Sequence, residues 1–262
     1  METSASKLLL VVPIYNEAGI LKFKLEKLYS YLEDSGIHFH LILSVDDSGD
    51  DSVRIVEEFS EVHPSVDAIV HQKKMGRGFA VREAWALHDA DFYSFIDADL
   101  STGVDVIEKL YHAAVAGSAD VLTASRFVQG ATVKRPMLRN LISHIYNFAL
   151  RKIFHEKIRD HQCGFKTINS KAKEMVLYKT TENSWFWDAE LLVLATRCGL
   201  SIKEFPVDWV EEKYTHTPLK RLLSDILIHG KGILRLVVKN SRDRKEEHAR
   251  GITLETNKEI TR

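Results

Sequence analysis

Residues 91–100 read DFYSFIDADL. The run at 92–96, FYSFI, has the apolar and aromatic composition of a short buried strand. Asp97 and Asp99 follow at its end, one residue apart. Alternation along an extended chain places both carboxylates on one side. Two negative charges that close are costly unless a cation joins them. All-oxygen ligation selects a hard divalent ion, Mg2+ or Mn2+, and such an ion commonly carries a diphosphate. Taken alone, an Asp-x-Asp is more often a solvated loop, so its surroundings decide.

Those surroundings alternate between strands and helices. Upstream, 8–12 (LLLVV), 38–45 and 67–71 read as strands, with helical patterns at 16–36, 52–62 and 78–90. Downstream, 104–117 reads as a helix and 120–125 as a strand. This order implies an α/β fold with a mainly parallel central sheet flanked by helices. Ligands of such sheets bind beyond the carboxyl ends of the strands. Three polar clusters fall there: PIYNE (13–17), DDSGDD (46–51) and DAD (97–99). Three separate strand ends that carry polar groups point to a site more strongly than any one of them.

The second half has a different pattern. Residues 137–154 form a helix with a wide apolar face, and 160–168 (DHQCGFKTI) a turn entering a short strand. An aromatic turn and helix follow at 184–199, and a last strand at 201–210. No repeat or Pro/Gly-rich linker interrupts the chain, so a single domain is expected over 1–239. The charged segment 240–262 reads as a disordered tail. Within 219–239, Leu219, Leu222, Leu223, Ile226, Ile233, Leu234 and Val237 make one helical stripe beside Lys220, Arg221, Lys231 and Arg235. That is the pattern of an amphipathic helix lying on an anionic membrane surface, and equally of one packed on its own domain.

Charge narrows the partners. The 262 residues sum to a formal net charge of −1, but the charges are unevenly spread. Residues 83–120 hold eight Asp/Glu against one Lys, and 134–173 hold ten Lys/Arg against two acids. An acidic metal-binding half beside a basic half suits an anionic substrate between them. The basic stretch has no nucleic-acid motif, so no nucleic-acid partner is expected. Cys163 and Cys198 show neither metal-ligand spacing nor a disulfide framework, in keeping with a reducing compartment. No signal peptide is read at the N-terminus, and no stretch reaches the roughly 18–20 apolar residues of a membrane span.

The ordered motifs VVPIYNEAGIL, VDDSGDDS, KKMGRGFAVREAW, DADLS, SRFV, DHQCGFK, WFWDAELL and FPVDW resemble family 2 glycosyltransferases of GT-A fold. Among these the chain is similar to the dolichyl-phosphate and polyprenyl-phosphate sugar synthases, from about residue 8 to about residue 238. QCGFK and WFWDAELL look more like glucose synthases than mannose synthases. The resemblance implies an inverting transferase that moves a hexose onto dolichyl or polyprenyl phosphate. The donor would be UDP-glucose, or alternatively GDP-mannose. The enzyme would be peripheral, at the cytoplasmic face of a membrane. It implies nucleotide-sugar contacts from Pro13, Tyr15, Glu17, Asp46, Gly76 and Asp97. It implies Mg2+ or Mn2+ on Asp97, Asp99 and Ser101, the serine hydroxyl reaching the metal directly or through water where mannosyl relatives often carry Gln. Catalytic roles fall on Asp97, Asp99, Arg126 and Asp160, and acceptor-phosphate contacts on Arg126, Arg139 and Ser143. Gln162, Asp188 and Glu190 would line the sugar pocket. Relatives often carry a Ser-Lys pair after the last strand. It is absent here, and Lys213, Lys220 and Arg221 are the available substitutes.

Residue chemistry supports the acceptor assignment. A prenyl phosphate is already an oxygen nucleophile near neutral pH and needs little general-base help. It does need cations to position it. Arg139 and Ser143, four apart, share a helical face, and guanidinium suits phosphate. Two other functions stay open. One is a family 2 transferase acting on a glycan hydroxyl, for which Asp160 is the available base. The other is a non-catalytic nucleotide-sugar-binding subunit. The basic 134–173 region argues against the first, and retention of both carboxylates against the second.

Overall fold

The computed structural model describes residues 6–210 and 219–249, and in the second stretch the side chains of 227–243. The chain divides into two compact units, Met1–Thr217 and Pro218–Arg262.

The first unit begins with five strands alternating with four helices. These are β1 (Leu8–Ile14), α1 (Ala18–Asp34), β2 (Phe39–Val45), α2 (Ser52–Val62), β3 (Val66–Val70), α3 (Arg77–Leu87), β4 (Phe92–Ile96), α4 (Asp105–Val115) and β5 (Val121–Ser125). Then come β6 (Thr132–Lys134), α5 (Met137–Phe154), β7 (Phe165–Asn169), α6 (Ser170–Val176), α7 (Trp187–Arg197), β8 (Ile202–Pro206) and β9 (Asp208–Val210). Seven strands form one sheet in the order β3-β2-β1-β4-β7-β5-β8. Every pairing in it is parallel except those of β7, which runs antiparallel to both β4 and β5.

β1 shows why the sheet is covered on both sides. Leu8, Leu10, Val12 and Ile14 pack in one layer with Leu21, Leu25 and Leu28 of α1 and Leu110 of α4. Leu9 and Val11 pack in the other with Trp85 of α3 and Trp187 and Leu191 of α7. A continuous apolar run buried on both faces is what a parallel strand between helical layers requires. Each such side chain contributes about 1.5–3 kcal/mol by leaving water.

The reversed direction of β7 positions the site. Ile96 pairs with Phe165 and Phe92 with Asn169. The chain therefore enters β7 at the end where β4 leaves, and residues 160–164 arrive beside Asp97. The expected strand 201–210 is two strands. β8 ends at Pro206, which has no amide hydrogen to give, and β9 pairs with β6 in a small separate sheet.

In the second unit, α8 runs Leu219–Ala249. Residues 240–249 are thus helical, beyond the expected end at 239. No Gly or Pro stands between Ile233 and Gly251, and Lys, Arg and Glu are good helix formers. Residues 250–262, with the rest of the expected tail, lie outside the described residues. No helix among the described residues is long and apolar enough to cross a membrane.

Candidate active site

Asp97, at the end of β4, is held by an arginine that local sequence pattern did not single out. Arg77, the first residue of α3, donates from Nε to Asp97 Oδ1 at 2.8 Å and from Nη1 to both oxygens of Asp188 at 2.8 Å. Its guanidinium lies between the Phe95 and Trp185 rings, 4.7 and 4.8 Å from their centroids. Asp99 Oδ1 accepts the Ser101 N–H at 3.0 Å, in a turn that puts Leu100 at φ 51°. Gly164 faces Asp97 so closely that an added Cβ would sit 1.9 Å from Oδ2.

Asp97 and Asp188 therefore share one arginine, and Asp99 adds a third negative charge beside Asp97. Lys166 Nζ stands 3.9 Å from Asp188, but burial holds that lysine below its ordinary pKa. Burial pushes the Asp97 carboxyl up to about 6. Arg77 opposes the shift, and Asp99 and Asp188 add to it. This surplus of negative charge on oxygen donors fits a hard divalent cation. Asp97 and Asp99 are the residues that would hold it. For Ser101 the contacts are its N–H to Asp99 and its carbonyl, which accepts the Val210 N–H at 3.1 Å.

The loops after β1 and β2 form one interlocked rim. Asn16, at φ 53°, donates its N–H to Ser48 Oγ, and its side-chain oxygen accepts the Gly49 N–H at 2.8 Å. Asp50 accepts the N–H groups of Ala18 and Ser52, the first residues of α1 and α2. Glu17 donates its N–H to Ser52 Oγ at 2.9 Å. Pro13 lies within β1, and the exposed Tyr15 ring carries Lys74 Nζ 3.7 Å above its centre.

Asp46 is buried at the end of β2 and accepts the Gly76 N–H on Oδ2 at 2.8 Å. Its Oδ1 is buried without a hydrogen-bond partner. His71 Nδ1 lies 3.1 Å away but is not aligned to bond, and His71 Nε2 is engaged by Glu83 at 2.6 Å. Gly76 has φ 96°, and a Cβ there would meet the Asn183 carbonyl at 2.4 Å. The glycine is thus required by the chain segment packed on it. Glu190 holds that segment, accepting the N–H groups of Thr181 and Glu182 at 2.8 Å.

On the basic side, Arg126 follows β5 and grips Asp160 with three bonds. Its backbone N and Nε reach Oδ2 at 2.9 and 2.7 Å, and Nη2 reaches Oδ1 at 2.8 Å. Burial disfavours the Arg126 charge, but Asp160, with Asp97 beyond it, holds the guanidinium above its usual pKa. Trp209 of β9 covers it at 4.8 Å. Gln162 donates its N–H to Asp160 Oδ1 at 3.2 Å. Arg135 Nη1 donates to Ser143 Oγ at 3.2 Å. Burial, then Arg126 and Arg139, bring Arg135 down to about 9. The guanidiniums of Arg126 and Arg139 thus both act on that of Arg135, a local concentration of positive charge.

The structure brings the predicted residues to one end of the sheet in two groups, acidic and basic. Arg77, Arg135, His71 and Lys166 were missed. Arg135 carried a signal, since it precedes Arg139 by the same four residues that link Arg139 to Ser143. Lys166 stands as a charged residue inside GFKTI. Trp187 is core, whereas Trp185 is exposed over Arg77. Lys213 and the side chains of Lys220 and Arg221 lie outside the described residues.

The profile of glycosyl transferase family 2 matches residues 9–176. The chain belongs to that family. It is 33% identical over 229 residues to the glycosyltransferase AglD of Haloferax volcanii, covering 86% of this chain and 36% of AglD. It is 29% identical over 211 residues to the dolichyl-phosphate beta-glucosyltransferase ALG5A of Trichomonas vaginalis, covering 77% of this chain and 65% of that protein. The chain thus spans about a third of the first relative and just under two thirds of the second. Among solved structures, glucosyl-3-phosphoglycerate synthase of Mycobacterium tuberculosis, in complex with Mn2+, UDP-glucose and phosphoglyceric acid, superposes with a TM-score of 0.68. The identity is 16%, over 88% of this chain and 80% of that one. At that identity the likeness shows the fold, which for this family 2 member is GT-A.

Proposed function

We propose that this family 2 member transfers glucose from UDP-glucose to a dolichyl or polyprenyl phosphate, working peripherally at the cytoplasmic face of a membrane. The observation that carries the reading is the meeting of two opposite charge clusters at one end of the sheet. Asp97, Asp99 and Asp188 exceed their arginine, and Arg126, Arg135 and Arg139 gather beside them. A reaction between a diphosphate donor and a phosphate acceptor needs both. The names of ALG5A and its like, and the Mn2+ and UDP-glucose bound by the mycobacterial synthase, support the same choice.

Mg2+ or Mn2+ at Asp97 and Asp99 would offset charge on the departing nucleoside diphosphate. Arg77 fixes the direction of Asp97 and Asp188. Asp46 Oδ1, which accepts no hydrogen bond and lies 3.1 Å from His71 Nδ1, is an acceptor for a uracil N–H or a ribose hydroxyl. Arg135 and Arg139 orient the acceptor, whose phosphate oxygen attacks the anomeric carbon opposite the leaving diphosphate. That oxygen is already ionised, so no base is required. Asp160 is committed to Arg126, which disfavours the glycan-hydroxyl alternative that needs it as a base.

α5 supports contact with a lipid surface. Met137, Leu138, Leu141, Ile145 and Phe148 are exposed along one side of it, Met137 at 89% and Ile145 at 60%. Ser143, Asn147 and Leu150 are buried on the other. A contiguous exposed apolar stripe marks a docking face, and this one adjoins the arginines assigned to the lipid phosphate. It adds a second docking element to the helix at 219–239. The test is a donor panel, UDP-glucose against GDP-mannose with dolichyl phosphate, with and without EDTA, products read by mass spectrometry. Metal-dependent glucosyl-phospholipid is expected. A preference for GDP-mannose overturns the sugar, and no lipid product with any donor overturns the acceptor.

A further inference from the structure

At the end of the sheet opposite the carboxylates, three metal-capable residues converge from three elements. His40 lies near the start of β2, Asp67 near the start of β3, and His88 directly after α3. Each offers one ligand atom, and these atoms all lie within 4.8 Å of one another, which no other trio of His, Cys, Asp or Glu achieves among the described residues. We propose that His40, Asp67 and His88 form a second metal site, for a zinc-type transition cation, separate from the hard-cation site at Asp97 and Asp99.

Two imidazoles and one carboxylate, with a fourth position left for water, are a donor set suited to zinc rather than to magnesium. Bonds of about 2.0–2.1 Å to a tetrahedral ion put ligand atoms roughly 3.3–3.5 Å apart. The observed spacing of up to 4.8 Å must therefore close by roughly 1.4 Å on binding. A second observation concerns His88. Its Nδ1 lies 2.9 Å from the Ala84 carbonyl, so Nδ1 carries the hydrogen and donates it. Nε2 then presents its lone pair, and the outer hydrogen bond orients the ring as in metal-bound histidines. The His40 and His88 rings stand 5.2 Å apart at 80°, edge to face, so the two imidazoles are already neighbours. His40 Nε2 now shares a hydrogen with Asp67 Oδ2 at 2.8 Å. Cation binding moves that proton to Nδ1 of the same ring and frees both atoms as ligands. The His40 side chain is 19% exposed and that of Asp67 60%, which gives a fixed floor and an open entry. Lys7 also acts on His40 and opposes a cation there, so the site is weaker than a four-ligand structural zinc site.

An ion at this place would tie the end of α3 to β2 and β3. The other end of α3 begins with Arg77, so the clamp would steady the helix that holds Asp97 and Asp188. The experiment uses the full chain, stripped with EDTA and returned to millimolar Mg2+ to occupy the carboxylate site. Zn2+ is then titrated against a chromophoric chelator, and Co2+ absorption reads the coordination. One equivalent bound at about micromolar affinity is expected, with a melting temperature raised by Zn2+. His88→Ala and Asp67→Asn should each weaken binding at least tenfold without changing the zinc-free melting temperature, while Asp99→Asn should leave it intact. Should His88→Ala misfold, the exposed Asp67→Asn carries the test alone. Binding no tighter than about 100 µM, or equal affinity in the folded variants, overturns the site.

Discussion

Arg126 and Asp160 are both buried, and neither charge could stay there alone. Burial raises the Asp160 pKa, but Arg126 outweighs it and holds the carboxyl at about 2. A folded-state pKa below the unfolded one gives stability that is fully present above the unfolded value, near 4, and lost as pH falls toward 2. Asp160→Asn should cost about 3–5 kcal/mol in urea denaturation, because it strands a buried guanidinium. It should also flatten the loss of stability between about pH 4 and pH 2, and a variant as pH-sensitive as wild type would refute the linkage. Asp99 has a different expectation. It sits half-buried at the rim and accepts the N–H of the neighbouring Ser101. Asp99→Asn should lower turnover on the order of a hundredfold or more, with little change in melting temperature. Near-normal turnover with metal present would remove Asp99 from the metal site. Asp46, Asp97 and Asp99 were legible in the sequence because a polar residue at a strand end declares itself locally. Arg77 was not, since its partner Asp188 stands 111 residues away. Long side chains choose partners in space, and one-dimensional periodicity carries no trace of that choice.

At the scale of elements, most boundaries followed from period and composition, and β4 and α5 match their expected limits residue for residue. Direction did not follow. FKTIN is as good a strand either way, and only the sheet decides that β7 runs against its neighbours and brings Asp160, Gln162 and Gly164 to the site. The split of 201–210 was hinted at by Pro206, but a partner as short as β6 leaves no periodic signature. α5 carries two separable predictions. Arg139→Ala should raise the Michaelis constant for dolichyl phosphate, or lower turnover, by about tenfold, with UDP-sugar affinity unchanged. Weakened nucleotide binding instead would reverse the two halves of the site. Leu141, Ile145 and Phe148, all exposed, can be changed together to Ser at little cost in stability. That triple variant should lose co-sedimentation with anionic liposomes. Full retention would transfer membrane contact to another part of the chain, such as α8.

At the scale of the molecule, the net charge of −1 conceals the division that matters. The parallel strands carry their acidic ends to one side of the site, while β5, α5 and the entry to β7 supply the basic side. Such a division acts over distances comparable with the Debye length, roughly 8 Å at physiological ionic strength. In the proposed reaction the lipid phosphate would meet the arginines through partly solvated contacts, whereas the donor diphosphate would be held at the carboxylate site through a metal at short range. The two substrates should therefore respond differently to salt. Raising NaCl from about 50 to about 300 mM should lower kcat/KM for dolichyl phosphate severalfold while changing UDP-glucose affinity much less. Arg135 is the residue to vary, because Arg126 is already neutralised by Asp160 and Arg139 alone would keep part of the field. Arg135→Ala should reduce the salt dependence for the acceptor together with its kcat/KM. If that variant loses activity yet keeps the wild-type salt slope, Arg135 supports Ser143 and α5 mechanically, and the anion is steered from elsewhere.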